Sequence, residues 1–244
     1  MSRVLVTGAY RGIGAACALA YASAGARLVL ADIREPEETA QAARAAGAAE
    51  VLSLACDVSD EGSVGAVGQA IDTGFGGLDV LVHCAGVIHE APLLETPVAD
   101  FDRVIAINLR GSFLVGQMAI ARMAATPEDP ARAILIASDM AYYGRETFSP
   151  YVASKHGVLG LVRSWAKEFA PNILVNAICP GPIDTEMLGA ANMSADWRAK
   201  ELAIPLARFG QPQEIAALAL FLSGDGGRYI TGQGIGPNGG SVMP

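Results

Sequence analysis

Two residues four positions apart, Tyr151 and Lys155 in the segment YVASK, have the types needed to move a proton at an alcohol. On a helix, positions i and i+4 share one face. The lysine ammonium then stands beside the phenol, whose free pKa of about 10 falls next to a cation. A phenol poised in this way acts as general acid or base on an alcohol or ketone. Alone, YxxxK is a short pattern that equally suits a Tyr and a Lys on a solvated helix face. Ser138 closes the apolar run AILIAS, 13 residues before Tyr151, and its hydroxyl can bond a substrate oxygen. A serine that opens a loop and satisfies backbone groups would look the same. Asn108 lies inside the apolar stretch VIAINLRGSFL, where an amide destabilises a helix unless it finds partners. With Gly111 just beyond, it predicts a local distortion exposing a carbonyl or a water; an Asn satisfied by core backbone is the alternative.

A second group of residues could hold a dinucleotide. Thr7-Gly8-Ala9-Tyr10-Arg11-Gly12-Ile13-Gly14 follows an apolar run and opens an Ala-rich stretch. Glycines let the backbone turn tightly and approach a ligand, and a helix N-terminus offers free N–H groups to a pyrophosphate. The spacing is GxxxGxG, not GxGxxG, and a tight strand-to-helix turn without a ligand is the alternative. Asp32 ends the next apolar run, 18 residues after Gly14. There a carboxylate can accept both hydroxyls of an adenosine ribose and repel a 2′-phosphate, which selects NAD over NADP. Arg11 and Arg34 argue the other way, since either could reach a phosphate.

The elements that must position these groups alternate along the chain. Strands are expected at 4–6, 27–31, 51–55, 78–82, 133–137 and 173–178, with a short last one at 234–236. Helices are expected at 12–24, 37–46, from a cap at Ser59 or Asp60 to 74, at 98–123, 151–169 and 213–222. Residues 181–210 read as less regular, and Thr126-Pro127-Glu128-Asp129-Pro130 as a surface loop. Continuous apolar strands between helices predict a doubly wound, Rossmann-type α/β fold: a parallel sheet covered on both faces, with ligands at the carboxyl ends of the strands. No linker or repeat divides the chain, so one domain over 1–244 is expected, with a substrate-loop segment at about 183–210.

Composition narrows the classes. With 52% apolar residues and 17% charged, the 244-residue chain can bury a sizeable core. Its net charge of −8, without a basic run, disfavours nucleic acid and anionic membrane as partners. Cys17, Cys56, Cys84 and Cys179 contain no CxxC pair, and the three histidines are scattered, so no disulfide framework or metal site is expected. Glycines interrupt the one N-terminal stretch that imitates a signal peptide, and no uninterrupted apolar run is long enough for a membrane span. A cytoplasmic protein is the expectation.

Taken together, TGAYRGIG, Asp32, Cys56-Asp57-Val58, Ala85-Gly86, Asn108, Ser138, YVASK, PGPIDT and ITGQ…GG stand in an order and spacing that resembles the short-chain dehydrogenase/reductase family over nearly the whole chain. The resemblance implies a seven-stranded parallel sheet and a homotetramer built on the helices at 98–123 and 151–169 and the C-terminal strand. It implies Tyr151 as general acid/base, Lys155 as the group that lowers the Tyr pKa and binds the nicotinamide ribose, Ser138 as the orienter of the substrate oxygen, and Asn108 as holder of a relay water behind Lys155. It also implies a cofactor site of Gly8, Arg11, Gly12, Ile13, Gly14, Asp32, Asp57, Val58, Ala85, Gly86, Pro180, Ile183 and Thr185, besides Tyr151 and Lys155. Two departures stand out: His83-Cys84 replaces the family's usual Asn pair, which puts the brace of that loop in doubt, and Asn238-Gly239-Gly240 replaces Asp-Gly-Gly. His83 itself reads as a satisfied histidine at a strand end.

The implied reaction is hydride transfer between a secondary alcohol and NAD, with no metal. Candidate pocket residues are His89, Glu90, Asp139, Met140, Tyr142, Tyr143 and the stretch from Met187 to Trp197. Their polar members could bind the extra hydroxyls of a polyol, a sugar acid or a cyclic diol, or could be solvated loop residues. A 3-oxoacyl thioester reductase is the rival within the class. A non-catalytic dinucleotide-binding sensor on the same fold is the rival outside it.

Overall fold

The apolar runs fold into the strands of one sheet. The structure, a computed structural model, describes residues 1–244. Its strands are β1 (Arg3–Thr7), β2 (Arg27–Asp32), β3 (Glu50–Ala55), β4 (Val80–His83), β5 (Ala131–Ile136), β6 (Ile173–Ile178) and β7 (Gly234–Ile235), in the order β3-β2-β1-β4-β5-β6-β7. Every pairing is parallel. The helices are α1 (Gly12–Ser23), α2 (Glu37–Ala45), α3 (Glu61–Gly74), α4 (Val98–Ile105), α5 (Gly111–Ile120), α6 (Ser149–Phe169), α7 (Ala195–Glu201) and α8 (Pro212–Ser223). Along β1 the alternation sends Leu5 into one core with Val29, Leu81, Val115 and Trp165, and Val4 and Val6 into the other with Leu28, Ile215 and Leu222. That is why these strands read as unbroken apolar runs: both faces are buried.

Strand order reverses between β1 and β4, and the register brings Thr7, Ala31 and His83 level at the carboxyl edge, with Asp32 opposite Ala55. A crevice at such a reversal is where doubly wound sheets bind ligands. The loop that carries the second catalytic candidate, after β5, opens on the same edge.

Two expectations are corrected. The single helix over 98–123 is three segments: α4, a π turn over Ala106–Arg110, and α5, which stops at Ile120. The cause is Asn108, whose Oδ1 accepts from Val87 N (2.8 Å) while its Nδ2 donates to Val87 O (2.9 Å) and Ser154 Oγ (3.0 Å). Its carbonyl takes the Ser112 hydroxyl at 2.5 Å. A wide turn of this kind frees backbone groups at a functional position. The second correction is α7, inside the segment expected to be irregular. Ser194 caps it by accepting from Trp197 N at 3.2 Å.

α6 packs on α4 and the π turn, and its Trp165 reaches over Gly116 of α5. A Cβ added at Gly116 would lie 2.3 Å from Trp165 Cη2. Gly116→Ala is therefore expected to destabilise the fold by about 2 kcal/mol, because overpacking outweighs the gain in helix propensity of about 1 kcal/mol. Urea unfolding checks this: a midpoint at or above the parent's would contradict it.

Candidate active site

The turn after β1 forms the first wall. Gly8 takes φ +67°, and a Cβ there would meet Ala85 N at 2.6 Å, so only glycine lets the turn lie against the loop after β4. Gly14 lets α1 start directly beneath that turn, since its Cβ would stand 2.0 Å from the Gly8 carbonyl oxygen. Arg11 caps α1 without any side-chain hydrogen bond, and the first turn carries no acid. The opening N–H groups are thus left for something outside the helix.

Asp32 sits beside this turn. Its Oδ2 accepts from Tyr10 N (3.0 Å) and its Oδ1 from Ile33 N (2.7 Å). One lone pair on each oxygen remains, and the residue lines the cleft. The two cations weighed against it are engaged elsewhere. Arg11 pairs with Glu186 on the far lip, and the Arg34 guanidinium lies 5.1 Å above the Tyr10 ring. Asp57 is fixed by Ser59, whose N–H and hydroxyl both donate to Oδ1 (2.9 and 2.7 Å), and Val58 packs on Gly111, whose Cβ position is 2.9 Å from Val58 Cγ2.

The loop after β4 keeps its brace without the Asn pair. Cys84 N donates to Thr7 O (3.1 Å), Ala85 N reaches Thr7 Oγ1 (3.4 Å), and Asn108 clamps both backbone groups of Val87. His83 is 2% exposed; its Nδ1 meets Thr7 Oγ1 at 2.7 Å, while its Nε2 is buried without a partner. It is therefore only half satisfied. Burial pushes its pKa down to about 3, aided by the Lys155 charge, so it stays neutral.

Ser138, Tyr151 and Lys155 meet at the carboxyl edge, at 6%, 9% and 5% exposure. All three line the same cleft as the glycine turn, Asp32, Asp57, Val58, Ala85, Gly86, Pro180, Ile183 and Thr185. Asn108 does not line it; it stands behind Gly86, whose Cβ position would be 3.3 Å from Asn108 Oδ1 and 3.5 Å from Lys155 Nζ. The Lys155 ammonium donates to Ile136 O (2.9 Å) and lies 5.5 Å from the centre of the Tyr151 ring. Burial pushes the Tyr151 phenol up to about 12, the Ser138 hydroxyl pulling it down less, and burial brings Lys155 down to about 8. Burial thus dominates the phenol's shift, and the Lys155 ammonium is directed at a carbonyl.

The PGPIDT segment is held from two sides. Asp139 N donates to Pro180 O (2.9 Å), and Ile183 bridges to Gly210, with Asp184 N on Gly210 O (2.9 Å) and Gly210 N on Pro182 O (3.0 Å). The whole cleft has a volume of about 780 Å³. Beyond Ser138 it is lined by Glu90, Asp139, Met140, Tyr143, Met187, Leu188 and Trp197, as expected, but not by His89, Tyr142 or residues 189–196. Tyr142 turns to the sheet edge and donates to Gly234 O (2.8 Å); His89 Nδ1 lies 3.8 Å from Asp100.

Arg145, Lys200, Glu201 and Ser241 also line the cleft and were not foreseen. Arg145 pairs with Glu201 across the cleft rim and lies 5.2 Å from the Trp197 ring, and Lys200 pairs with Glu146 at 2.6 Å. Such pairs join residues more than fifty positions apart, and the cue in sequence was only that α7 carries both signs of charge. No group of three or more His, Cys, Asp or Glu side chains converges as a metal site would require.

Comparison with known proteins gives consistent answers. A family model described as enoyl-(acyl carrier protein) reductase matches residues 8–241. The chain is 37% identical over 244 residues to a 3-oxoacyl-(acyl-carrier-protein) reductase of Thermotoga maritima, covering 98% of this chain and 97% of that one. It is 39% identical over 242 residues to the D-threitol dehydrogenase of Mycolicibacterium smegmatis, covering 98% and 92%. A crystal structure of a dehydrogenase/reductase from Sinorhizobium meliloti superposes with a TM-score of 0.92 at 33% identity, covering 99% of this chain and 95% of that one.

Proposed function

The chain belongs to the short-chain dehydrogenase/reductase family, and from that premise we propose that it transfers a hydride between a secondary alcohol and NAD, with Tyr151 as general acid/base. One observation carries the reading: Ser138, Tyr151 and Lys155, from two separate elements, line the same cleft as the glycine turn and Asp32. When bound, the nicotinamide ring supplies the hydride chemistry. The chain's own residues hold the dinucleotide and move the proton.

The uncapped start of α1 at Gly12, Ile13 and Gly14, with Gly8 and Arg11, receives the pyrophosphate. Asp32 takes the adenosine ribose hydroxyls, and Asp57 and Val58 the adenine side. Ala85 and Gly86 flank the ribose of the nicotinamide half, and Pro180, Ile183 and Thr185 its carboxamide. Ser138 meets the substrate oxygen, and Tyr151 gives or takes its proton. Lys155 stabilises the phenolate and binds ribose. Asn108 keeps the Val87 loop and the π turn in place behind Lys155, which supports its assignment to the relay water. NAD is preferred to NADP because the Asp32 carboxylate keeps a free lone pair on each oxygen while Arg11 and Arg34 are otherwise engaged.

The ammonium at about 8 gives up its proton well before the phenol at about 12, so the first deprotonation among the two groups falls near pH 8. Oxidation needs the pair short of a proton. The kcat/KM for alcohol oxidation is therefore expected to rise about tenfold per pH unit from pH 6 and to level above about 8, while ketone reduction falls over the same range. In Lys155→Met the rise should move upward toward the tyrosine's own value. A flat oxidation profile from pH 6 to 9 would contradict the assignment of the base.

The substrate is proposed to be uncharged and hydroxylated: a polyol or cyclic diol before a sugar acid. The cations that line the cleft outside the lysine of the catalytic set (Arg11, Arg145 and Lys200) are each paired with a carboxylate. None is left over for a substrate anion. The similarity to 3-oxoacyl reductases favours a thioester as second reading, tested by turnover of a 3-oxoacyl thioester against that of alcohols. Exposed Leu94, Val98, Phe101 and Phe113 on and beside α4 and α5 support a homotetramer built on those helices. Four unpaired cysteines support a cytoplasmic location. No helix is long and apolar enough to cross a membrane.

A further inference from the structure

Asp139 is a 4%-exposed carboxylate directly after Ser138, and every group around it donates to it. Oδ1 accepts from Ser138 Oγ (3.0 Å) and from Met140 N (2.8 Å). Oδ2 accepts from Ser241 Oγ (2.6 Å) and, at the limit of 3.5 Å, from Tyr143 Oη. A carboxylate has only acceptor sites to offer, and a serine hydroxyl has one hydrogen and two lone pairs. Both serine hydrogens are therefore directed at Asp139; Ser138 Oγ also accepts from Met140 N (3.2 Å), and the Ser241 oxygen is left as an open acceptor.

Both serines line the same cleft. Ser138 belongs to the catalytic set. Ser241 does not: it lies in the segment after β7, and its hydroxyl makes no other side-chain contact, so both lone pairs are open. Nearby Glu90 has no cationic partner and adds a further acceptor, while Arg145 and Lys200 are held by Glu201 and Glu146. This end of the cleft offers acceptors and a negative balance, and what complements it is a substrate that brings its own O–H donors.

We infer that Asp139 and Ser241 determine specificity: Asp139 holds the Ser241 hydroxyl as an acceptor, and Ser241 receives the hydrogen bond of a second hydroxyl on the carbon next to the reacting one, whose own hydrogen faces Tyr151. Asp139 acts through Ser241 and is a positioning residue; Ser241 touches the substrate. The assignment rests on the alcohol dehydrogenase reading above and names the diol as its substrate class. A site built to bond a hydroxyl rejects the analogue that lacks it, because its own polar groups are then left unpaired.

The test compares kcat/KM for butane-2,3-diol with butan-2-ol, and for cyclohexane-1,2-diol with cyclohexanol, using all stereoisomers and NAD. The parent protein is expected to prefer each diol by at least about tenfold, expressed mainly in KM. Ser241→Ala should bring the ratio close to one, and Asp139→Asn should lower it too, because its amide nitrogen forces one serine to turn its hydrogen away. Ser241→Thr, which keeps the hydroxyl, should retain the preference. A parent ratio near one, a ratio that survives Ser241→Ala, or equal loss in Ser241→Thr and Ser241→Ala overturns the inference while leaving the dehydrogenase reading intact. Absence of turnover on every alcohol and ketone in the panel overturns that reading and the inference with it.

Discussion

Tyr151→Phe is expected to bind NAD as the parent does and to turn over about 10³ times more slowly. The substitution removes one oxygen from a ring that is 9% exposed and packs with Met140 and Phe148. Phe keeps that packing, so the fold and the dinucleotide half of the cleft, which rests on β1, β2 and α1, should be untouched. What disappears is the phenol hydroxyl beside Ser138. The signature is a fall in kcat with NAD affinity constant, the pattern of an interaction made in the transition state. NAD titration by fluorescence and steady-state kinetics on one preparation give both halves. Turnover within tenfold of the parent would remove Tyr151 from the chemical step.

The second large effect concerns the coenzyme. NAD is expected to give a kcat/KM about 10² times that of NADP. Two hydrogen bonds from ribose hydroxyls to the Asp32 carboxylate account for this scale, because hydrogen bonds to charged groups contribute about 1.5–3 kcal/mol each. A 2′-phosphate would instead meet a like charge there. In Asp32→Ala the NAD advantage should shrink at least tenfold, mostly through a raised KM for NAD. With the carboxylate gone, Arg34, now over Tyr10 and in no ion pair, is a cation able to turn toward a phosphate. A parent that works better with NADP, or a ratio unmoved in Asp32→Ala, would show that Asp32 does not read the ribose.

Much of this arrangement was legible before the fold was known, for definable reasons. The strands buried on both faces announce themselves as unbroken apolar runs, and the loop at 126–130 as a Pro-containing polar stretch. Asp60 was foreseen as one of two caps for α3, and it accepts from Ser63 N at 2.7 Å. The oddness of an Asn in an apolar helix pointed to a distortion, and the π turn is there, though a continuous helix to 123 was expected around it. Propensity sees the helix on either side of Asn108; it does not see that the Val87 backbone, 21 residues earlier, needs the amide.

The substrate end was the least legible. α7 is short and polar, so its periodicity is faint, and its reason for being helical lies in ties to distant residues through Arg145–Glu201 and Lys200–Glu146. Ser241 meets Asp139 across 102 positions, a contact no local pattern carries. The burial of Tyr151 was hidden for a similar reason. Spacing shows that Lys155 is near; only the packing shows how deeply the phenol is buried and that the ammonium is turned to Ile136 O.

The most direct test of the central claim is the change in nicotinamide absorbance when the protein is mixed with NAD and a panel of secondary alcohols, run in reverse with the matching ketones and NADH. Ser138, Tyr151 and Lys155 gathered beside a dinucleotide cleft predict catalytic turnover in both directions, with some members of the panel far better than others. Tight binding of the dinucleotide with no turnover of any alcohol or ketone would contradict the account and leave a dinucleotide-binding protein that performs no hydride transfer.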